Sequence, residues 1–368
     1  MLAKIKNQPP GRLIAIGFAL VILIGAFLLM LPISVRDDAN VHFIDALFTS
    51  TSAVCVTGLI SIDVADHFTF FGQVVVAALI QIGGLGVTSI GVGLILVARK
   101  NVGIKGRILV KEALNIDGIK GIVRLVKSVL LMTFCFELAG VILSFIVFVQ
   151  DYPILKALWI SIFHSIAAFN NSGFDILGGL RNLIPYQSNV LLNLGVPRLV
   201  ATIIVCIIIA LIIFGGLGFL VILDVLKKRD FRKLTLHSKA VLMTTVALLL
   251  GGTLLLKTTE DVSWLGAFFQ SVSARTAGFS TYPIGEFTNA GLFTLIVLMF
   301  IGASPGSTGG GIKTSTFFVL LQHVRSLFTK QHIGAFHRSI SFEMFSKACT
   351  ITLLSMLLVC VGTFLLCV

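Results

Sequence analysis

Seven long apolar runs dominate this sequence and restrict it to folds in which helices cross a membrane. A helix needs about 20 mostly apolar residues to cross the hydrocarbon core of a bilayer. Only 12% of the residues are charged, and the mean hydropathy of +1.04 lies far outside the range of soluble proteins. We therefore predict an all-α polytopic membrane protein with spans near residues 13–31, 68–98, 125–149, 197–225, 240–257, 288–322 and 343–368.

Three shorter apolar segments lie between pairs of long runs, near residues 41–51, 157–168 and 263–273. They are too short to cross a bilayer. Irregular backbone at membrane depth is tolerated only where protein or a watery cavity surrounds it. We interpret these segments as re-entrant helices; the alternative is a helix packed on the outer surface of the membrane.

Each short segment carries the same pattern, in which a glycine follows ten residues after a phenylalanine. A dehydrated cation needs oxygen ligands, and backbone carbonyls supply them when the chain directs them towards one axis. Glycine adopts the required backbone angles at little cost. The pairs are Phe48 and Gly58, Phe163 and Gly173, and Phe268 and Gly278.

Small and polar residues lead into each glycine, and their hydroxyls either add oxygens or brace the loop. The preceding short helix directs its partly negative C-terminal end into the membrane, which favours a cation. A plain glycine turn is the alternative for any single copy, and the three aligned copies favour ion coordination. The candidate ion-binding residues are Val56, Thr57, Gly58, Asn171, Ser172, Gly173, Thr276, Ala277 and Gly278.

Basic residues concentrate in alternate connections: before the first run, and within 99–127, 227–239 and 313–347. Cytoplasmic connections carry an excess of Lys and Arg. We therefore predict a plasma-membrane protein with a cytoplasmic N-terminus and with all three glycine loops on the outer face. The net charge of +12 follows from this topology, and no nucleic-acid partner is expected because the basic residues are spread over several loops.

The order of span, re-entrant loop and span returns the chain to the cytoplasm, so that successive units share one orientation and can surround one axis. We predict a first unit in 1–98, a second in 99–226 with a basic cytoplasmic loop, and a third in 227–322 with a broken second span. Residues 323–368 then supply the first span of a fourth unit.

Glycines also recur in the second span of each unit. Those at 83–86 and 215–218 are expected to permit close helix packing. The third set, within 302–313, differs because it also contains Pro305. Each glycine inside a helix costs about 1 kcal/mol of stability and a proline about 3 kcal/mol, so that a continuous helix is not expected there. We predict a broken helix with a flexible loop beneath the glycine loops, or else an ordinary loop between two shorter helices. The residues of this loop are Gly302, Ser304, Pro305, Gly306, Ser307, Thr308, Gly309, Gly310, Gly311 and Lys313.

The segments 51–59, 168–174 and 273–279 resemble the filter loops of the Trk/Ktr/HKT potassium transporters, and most closely those of the bacterial Ktr membrane subunit. The resemblance spans the whole chain. It implies four span–loop–span repeats around one pore and K+ coordinated at the filter residues, while leaving open whether Na+ is also carried. The loop within 302–313 is similar to the intramembrane gate loop of this family, so that the resemblance makes its residues gate candidates. The resemblance further implies homodimers in membrane lipid and a cytosolic RCK-type nucleotide-binding subunit that regulates transport.

The sequence departs from the family pattern near its end, where one more span follows residue 341 without a fourth re-entrant helix or filter glycine. We therefore expect a truncated form, since three loops do not complete a fourfold ring of ligands. This departure keeps a non-conducting, structural remnant open as an alternative function.

Isolated ionisable residues inside the apolar segments are less specific. Arg275 compensates the helix dipole or braces the filter, or else it repels ions. Glu137 is either paired and structural or part of transport, and His164 is expected to be packed and hydrogen-bonded.

No metal-ligand or phosphate-loop motif occurs, so that no enzyme activity and no organic cofactor are expected. We predict K+ uptake through filter carbonyls, controlled by an intramembrane gate loop. A secondary transporter of another solute, built on inverted repeats, is the main alternative.

Overall fold

The computed structural model describes residues 8–97, 103–114, 121–180, 182–186, 198–329, 334–336 and 338–368. Of the basic residues used to predict orientation, six lie outside the described residues: Lys4, Lys6, Arg99, Lys100, Lys120 and Lys330. Within these ranges the chain forms fifteen α-helices: α1 (Pro10–Leu29), α2 (Phe43–Cys55), α3 (Val64–His67), α4 (Phe70–Leu85), α5 (Val87–Val97), α6 (Ile104–Leu114), α7 (Ile122–Phe148), α8 (Ile154–Phe169), α9 (Arg198–Leu217), α10 (Phe219–Lys228), α11 (Leu236–Thr259), α12 (Trp264–Ala274), α13 (Asn289–Phe300), α14 (Thr314–Thr329) and α15 (Phe342–Cys367).

Short elements complete the described chain. One-turn 3-10 helices cover Ile184–Tyr186, Phe231–Lys233 and Ile284–Glu286. Strands β1 (Gly334–Ala335) and β2 (Arg338–Ser339) pair in an antiparallel hairpin. The sequence did not predict this hairpin, nor helix α6 within the basic segment 99–127.

Four of the described helices, α1, α7, α11 and α15, are long and apolar enough to cross a membrane. The pair α9 and α10 is a fifth candidate if its two halves are counted as one span. Hydroxyl side chains begin several helices by accepting a backbone N–H of the first turn, as Thr69 does for α4 and Thr235 for α11. The chain is therefore a multi-pass membrane protein made of helices.

Each of the three short helices packs between two longer ones. Helix α2 contacts α1 and α4, α8 contacts α7 and α9, and α12 contacts α11 and α13. The short helices α2, α8 and α12 thus occupy equivalent places, and their C-terminal ends carry the three glycine loops towards the interior.

A repeated contact joins the three helices of each set. A serine of the short helix donates to a backbone carbonyl of the preceding long helix, at 2.7, 2.7 and 2.9 Å. One turn later that long helix has a glycine, and an added Cβ there would lie within 2.4 Å of the serine Oγ and 2.7 Å of a leucine methyl of the third helix. The glycine therefore sets the distance between the helices. The sets are Gly25, Ser50 and Leu79; Gly140, Ser165 and Leu211; and Gly252, Ser271 and Leu298.

The predicted spans 68–98 and 197–225 are each divided into two helices, and the sequence analysis did not predict these breaks. Helix α4 ends before Gly86, which has φ +80°, and α9 ends before Gly218, which has φ +89°. Helices α9 and α10 meet at 95°. Glycine is required at position 218, since an added Cβ would lie 2.6 Å from the carbonyl oxygen of Pro305.

Gly83 and Gly215 permit close helix packing, as the sequence analysis expected of the glycines at 83–86 and 215–218. A Cβ added to Gly83 would lie 2.1 Å from the carbonyl oxygen of Val54, and one added to Gly215 would lie 1.8 Å from that of Phe169. Both carbonyls belong to the last turn of a short helix. The glycines therefore let α4 and α9 lie directly against the ends of α2 and α8.

Candidate functional site

The nine candidate ion-binding residues form three loops at the ends of the short helices. We name them loop A (residues 56–58, after α2), loop B (171–173, after α8) and loop C (276–278, after α12). Backbone bonds to the preceding helix fix each loop, for example from Thr57 N to Ser52 O at 3.0 Å and from Ser172 N to Ala167 O at 2.9 Å. In loop C the bond from Gly278 N to Ser273 O is 3.2 Å.

The three loops share one backbone conformation. The glycine has φ of +71° in loop A, +70° in loop B and +85° in loop C. The residue two positions earlier is also left-handed, with φ of +55° at Val56, +57° at Asn171 and +76° at Thr276. Positive φ is rare for β-branched residues such as Val and Thr. Its recurrence at the same place in all three loops shows that the fold imposes it.

The loops meet one another through their backbones. A Cβ added to Gly58 would lie 2.5 Å from Ser172 O, and one added to Gly173 would lie 2.5 Å from Ala277 O. A Cβ added to Gly278 would lie 3.3 Å from Gly173 Cα, 3.7 Å from Gly58 Cα and 3.8 Å from Thr57 O. Gly58 and Gly173 thus face the carbonyl that precedes the glycine of the next loop, and Gly278 lies close to the glycines of both other loops.

The ring is more open on one side. Ser172 and Gly173 of loop B are buried, whereas Thr57 of loop A and Gly278 of loop C are exposed. A Cβ added to Gly278 would also lie nearer to Gly173 Cα of loop B, at 3.3 Å, than to Gly58 Cα of loop A, at 3.7 Å. Loop B therefore lies between its neighbours, and the accessible side of the ring is the side between loops C and A.

Serines at the ends of the short helices brace two of the loops. Ser52 Oγ donates to Leu59 O at 2.6 Å and lies 2.9 Å from the hydroxyl of Thr57. Ser273 Oγ donates to Phe279 O. In loop B, Ser172 Oγ donates back to Ala167 O at 3.3 Å. These bonds hold the chain on both sides of each loop.

The ten candidate gate residues lie in one irregular segment between α13 and α14, which we name the central loop (residues 302–313). Ala303 N donates to Gly310 O at 3.0 Å, which closes the loop on itself. Ser307 Oγ donates to Ser304 O at 2.6 Å, and Lys313 Nζ donates to Gly309 O at 2.7 Å. The segment is thus folded and internally bonded.

The central loop also lies against the break in the neighbouring unit. Ser304 N donates to Gly216 O at 3.0 Å, and Thr308 N donates to Gly215 O at 3.2 Å. Phe219 N, at the start of α10, donates to Gly306 O at 2.8 Å. The loop therefore takes up backbone groups that the break at Gly218 leaves without partners inside the helix.

Two side chains of loops B and C contact the central loop. The amide of Asn171 lies 2.8 Å from the hydroxyl of Thr308, and Thr276 Oγ1 accepts from Gly310 N at 3.1 Å. Beside loop C, Arg275 is buried and its Nη2 donates to Gly302 O at 3.2 Å. Arg275 therefore braces the central loop, and no ion pair joins it to an acid in the described part of the chain.

Glu137 and His164, the other two ionisable residues that the sequence analysis singled out, both contact neighbouring protein groups. Asn170 Nδ2 donates to Glu137 Oε1 at 3.1 Å and to Gln81 Oε1 at 2.9 Å, which ties α7 and α4 to the end of α8. His164 is fully buried, its Nδ1 lies 2.8 Å from Ile160 O, and aromatic rings surround it.

Beyond loop B the chain reaches three carboxylates that the sequence analysis did not single out. Asp63 Oδ2 accepts from Leu180 N at 2.7 Å and Asp66 Oδ2 accepts from Gly179 N at 2.9 Å. Asp175 is buried and its Oδ1 accepts from Leu177 N at 3.0 Å. Burial, with a smaller contribution from Asp63 and Asp66, raises the pKa of Asp175 to about 6.

Comparison with known proteins identifies the family. The family model described as TrkH, cation transport protein, matches residues 14–260 and 234–368. The potassium/sodium uptake protein NtpJ of Enterococcus hirae is 38% identical over 99% of this chain and 80% of its own length. Protein B of the Ktr potassium uptake system of Bacillus subtilis is 39% identical over 97% of this chain and 80% of its own length.

The fold has a counterpart among solved structures. The crystal structure of the potassium transporter TrkH from Vibrio parahaemolyticus matches with a TM-score of 0.62 at 21% identity, and the match covers 90% of this chain and 67% of that one. The family model and the relatives lead to the same family, which consists of transporters and not of enzymes. The chain belongs to the TrkH family of cation transport proteins.

Proposed function

We propose that this protein takes up K+ across the plasma membrane, and that backbone carbonyls of loops A, B and C bind the ion. The observation that carries the proposal is the close approach of the three loops at their glycines. The carbonyl oxygens of Ser172 and Ala277 would each lie 2.5 Å from a Cβ added to the glycine of a neighbouring loop, and Thr57 O would lie 3.8 Å from one added to Gly278. Such a set of oxygens is what a dehydrated monovalent cation requires.

The helices around the loops support a cation and oppose an anion. Helices α2, α8 and α12 all end at the loops, and the C-terminal end of a helix carries a partial negative charge. Three such ends face one place. The electrostatic field of the three helix ends therefore attracts a cation in addition to the loop carbonyls. No charged side chain lies within loops A, B and C.

The central loop is proposed to be the gate. It lies against loops B and C, and its Gly-rich backbone with positive φ at Gly306 and Gly311 is not part of any regular element. A loop of this kind can change its backbone angles at lower cost than a helix. We propose that its movement opens the path next to the loops.

The relatives extend the proposal to ions and partners. One relative is named as a potassium/sodium uptake protein, so that Na+ is a second candidate ion. The Ktr relatives belong to named uptake systems, which supports a regulatory partner. We propose a cytosolic RCK-type nucleotide-binding subunit, a homodimeric assembly, a cytoplasmic N-terminus and loops A to C on the outer face.

Uptake of Rb+ by a bacterial strain without its own K+ uptake systems tests the proposal. The protein should restore growth at low K+, and Gly58→Ser, Gly173→Ser and Gly278→Ser should each lower uptake or the preference for K+ over Na+. Gly251→Ser is the control, because an added Cβ there has no atom within 4 Å. Unchanged uptake and selectivity in all three loop variants would refute the assignment of the loops.

A further inference from the structure

Loops A, B and C differ in the side chain at their first left-handed position. Val56 of loop A is apolar, whereas Asn171 of loop B and Thr276 of loop C are polar. Both polar side chains bond to the central loop. The position is equivalent in the three loops, and its side chain bonds to the central loop only in loops B and C among the described contacts.

The attachment of loop B passes through Thr308. The hydroxyl of Thr308 lies 2.8 Å from the amide of Asn171 and donates to Phe169 O, at the end of α8, at 2.9 Å. Asn171 and Thr308 are both buried. One hydroxyl of the central loop therefore holds both the first residue of loop B and the end of the helix that supports it.

The attachment of loop C passes through Thr276. Its Oγ1 accepts from Gly310 N at 3.1 Å, and Gly309 approaches so closely that an added Cβ would lie 2.7 Å from the same Oγ1. Thr276 is β-branched and has φ of +76°. A β-branched residue keeps this backbone conformation only where surrounding contacts stabilise it. The hydrogen bond to Gly310 is one of those contacts.

Loop A is braced in a different way. Thr57 bonds to Ser52, and Ser52 in turn donates to Leu59 O. All three residues belong to α2 and its own loop, and Val56 has no polar side-chain group with which to bond to the central loop. Loop A therefore keeps all its bracing when the central loop moves, while loops B and C lose the bonds of Asn171 and Thr276 and keep only those to their own helices.

We propose that Thr308 and Thr276 are positioning residues that couple the state of the central loop to the ion selectivity of loops B and C. This inference rests on the proposed function. A gate that only obstructs the path changes the rate for all ions alike. A gate that is bonded to two of the three ion-binding loops alters the spacing of their carbonyls when it moves, and so changes the preference between K+ and Na+ as well.

The test measures Rb+ uptake with K+ or Na+ as the competitor, in Thr308→Val and Thr276→Val. Both changes remove a hydrogen-bonding hydroxyl while keeping the branched shape. The preference for K+ over Na+ should fall about threefold to tenfold, which is the effect of losing one hydrogen bond, and KM should change as well as the maximal rate. Thr308→Ser keeps the hydroxyl and should restore the preference of the wild-type protein to within about twofold.

Thr294→Val is the matched control, because the hydroxyl of Thr294 is buried and donates only to Ala290 O of its own helix, at 2.9 Å. Its selectivity should equal that of the wild-type protein. The amount of each variant in the membrane separates a loss of folding from a loss of selectivity. Because Thr276 is itself a candidate ion-binding residue, Thr308 carries the decisive test. If Thr308→Val does not fold, Thr308→Ala removes the same hydroxyl and takes its place.

Two results would overturn the coupling, and Gly173→Ser distinguishes them. If Gly173→Ser lowers the preference for K+ while Thr308→Val and Thr276→Val change only the rate, then the central loop acts without the coupling. If selectivity is unchanged in all three variants, the loops are not the filter, and the coupling fails together with the proposed function.

Discussion

Replacing Gly173 by alanine tests how tightly loop B is held between its neighbours. The added Cβ would lie 2.5 Å from Ala277 O, 2.8 Å from Gly278 Cα and 2.9 Å from Gly278 C. All three are backbone atoms, so that no side chain can rotate away to make room. The substitution must therefore move loop B or loop C.

The cost has two parts that a second variant separates. A non-glycine residue at positive φ costs about 1–3 kcal/mol, and overpacking costs about 1–3 kcal/mol more. Gly86 has φ of +80°, but an added Cβ there meets no atom within 4 Å. Gly86→Ala therefore carries the first cost alone, and the difference between the two variants isolates the contact between loops B and C.

The assay is Rb+ uptake over a range of external Rb+ concentrations, with the amount of protein in the membrane measured in parallel. Displaced carbonyls bind the ion less well, so that we expect a weaker apparent affinity for Rb+ in Gly173→Ala than in Gly86→Ala. The upper limit is about a hundredfold, reached if the full ~1–3 kcal/mol is lost from the ion-bound state alone. Equal affinities in the two variants at equal protein amounts would refute the reasoning, because the contact between the loops would then not matter for the ion.

Three further predictions concern packing, pH and the gate. Gly252→Ala should lower the stability of the protein in detergent by about 1–3 kcal/mol, because its Cβ would lie 2.4 Å from Ser271 Oγ. Thermal unfolding should show no such loss for the adjacent Gly251→Ala, which meets nothing within 4 Å. The pKa of Asp175 is raised to about 6 because burial favours its protonated, neutral carboxyl group. The resulting stability is fully present below about pH 4 and is lost as the pH rises through 6, where the buried group ionises. Asp175→Asn should therefore be more stable than the wild-type protein by about 1–3 kcal/mol at pH 8, with no difference near pH 4. Shortening 304–311 should raise Rb+ flux if the central loop is the gate, and an unchanged or lower flux at equal protein amounts would speak against that role.

The sequence predicted the helical membrane fold because apolar runs and their lengths are local properties. The short helices α2, α8 and α12 were predicted for the same reason, as each lies between two longer runs. Their bounds differ from the predicted segments by at most a few residues. The breaks at Gly86 and Gly218 were missed, because the apolar runs continue on both sides and the glycines at 83–86 and 215–218 were attributed to close helix packing.

The contacts between loops depend on residues more than 100 positions apart and could not be predicted from spacing. The pairing of Asn171 with Thr308 joins residues 137 positions apart, and nothing in either segment specifies the other. The triplets of glycine, serine and leucine at Gly25, Gly140 and Gly252 did leave a signal, since a serine occurs near the middle of each short helix. That signal becomes specific only when the partner glycine is seen in the structure.

Locating the bound ion tests the central claim most directly. An experimental structure of the protein with Rb+ or Tl+, whose anomalous scattering identifies the ion, should show density between the loops and in contact with the carbonyl oxygens of Thr57, Ser172 and Ala277. The density should decrease when excess K+ is added. Ion density elsewhere in the protein, with none between loops A, B and C, would contradict the account.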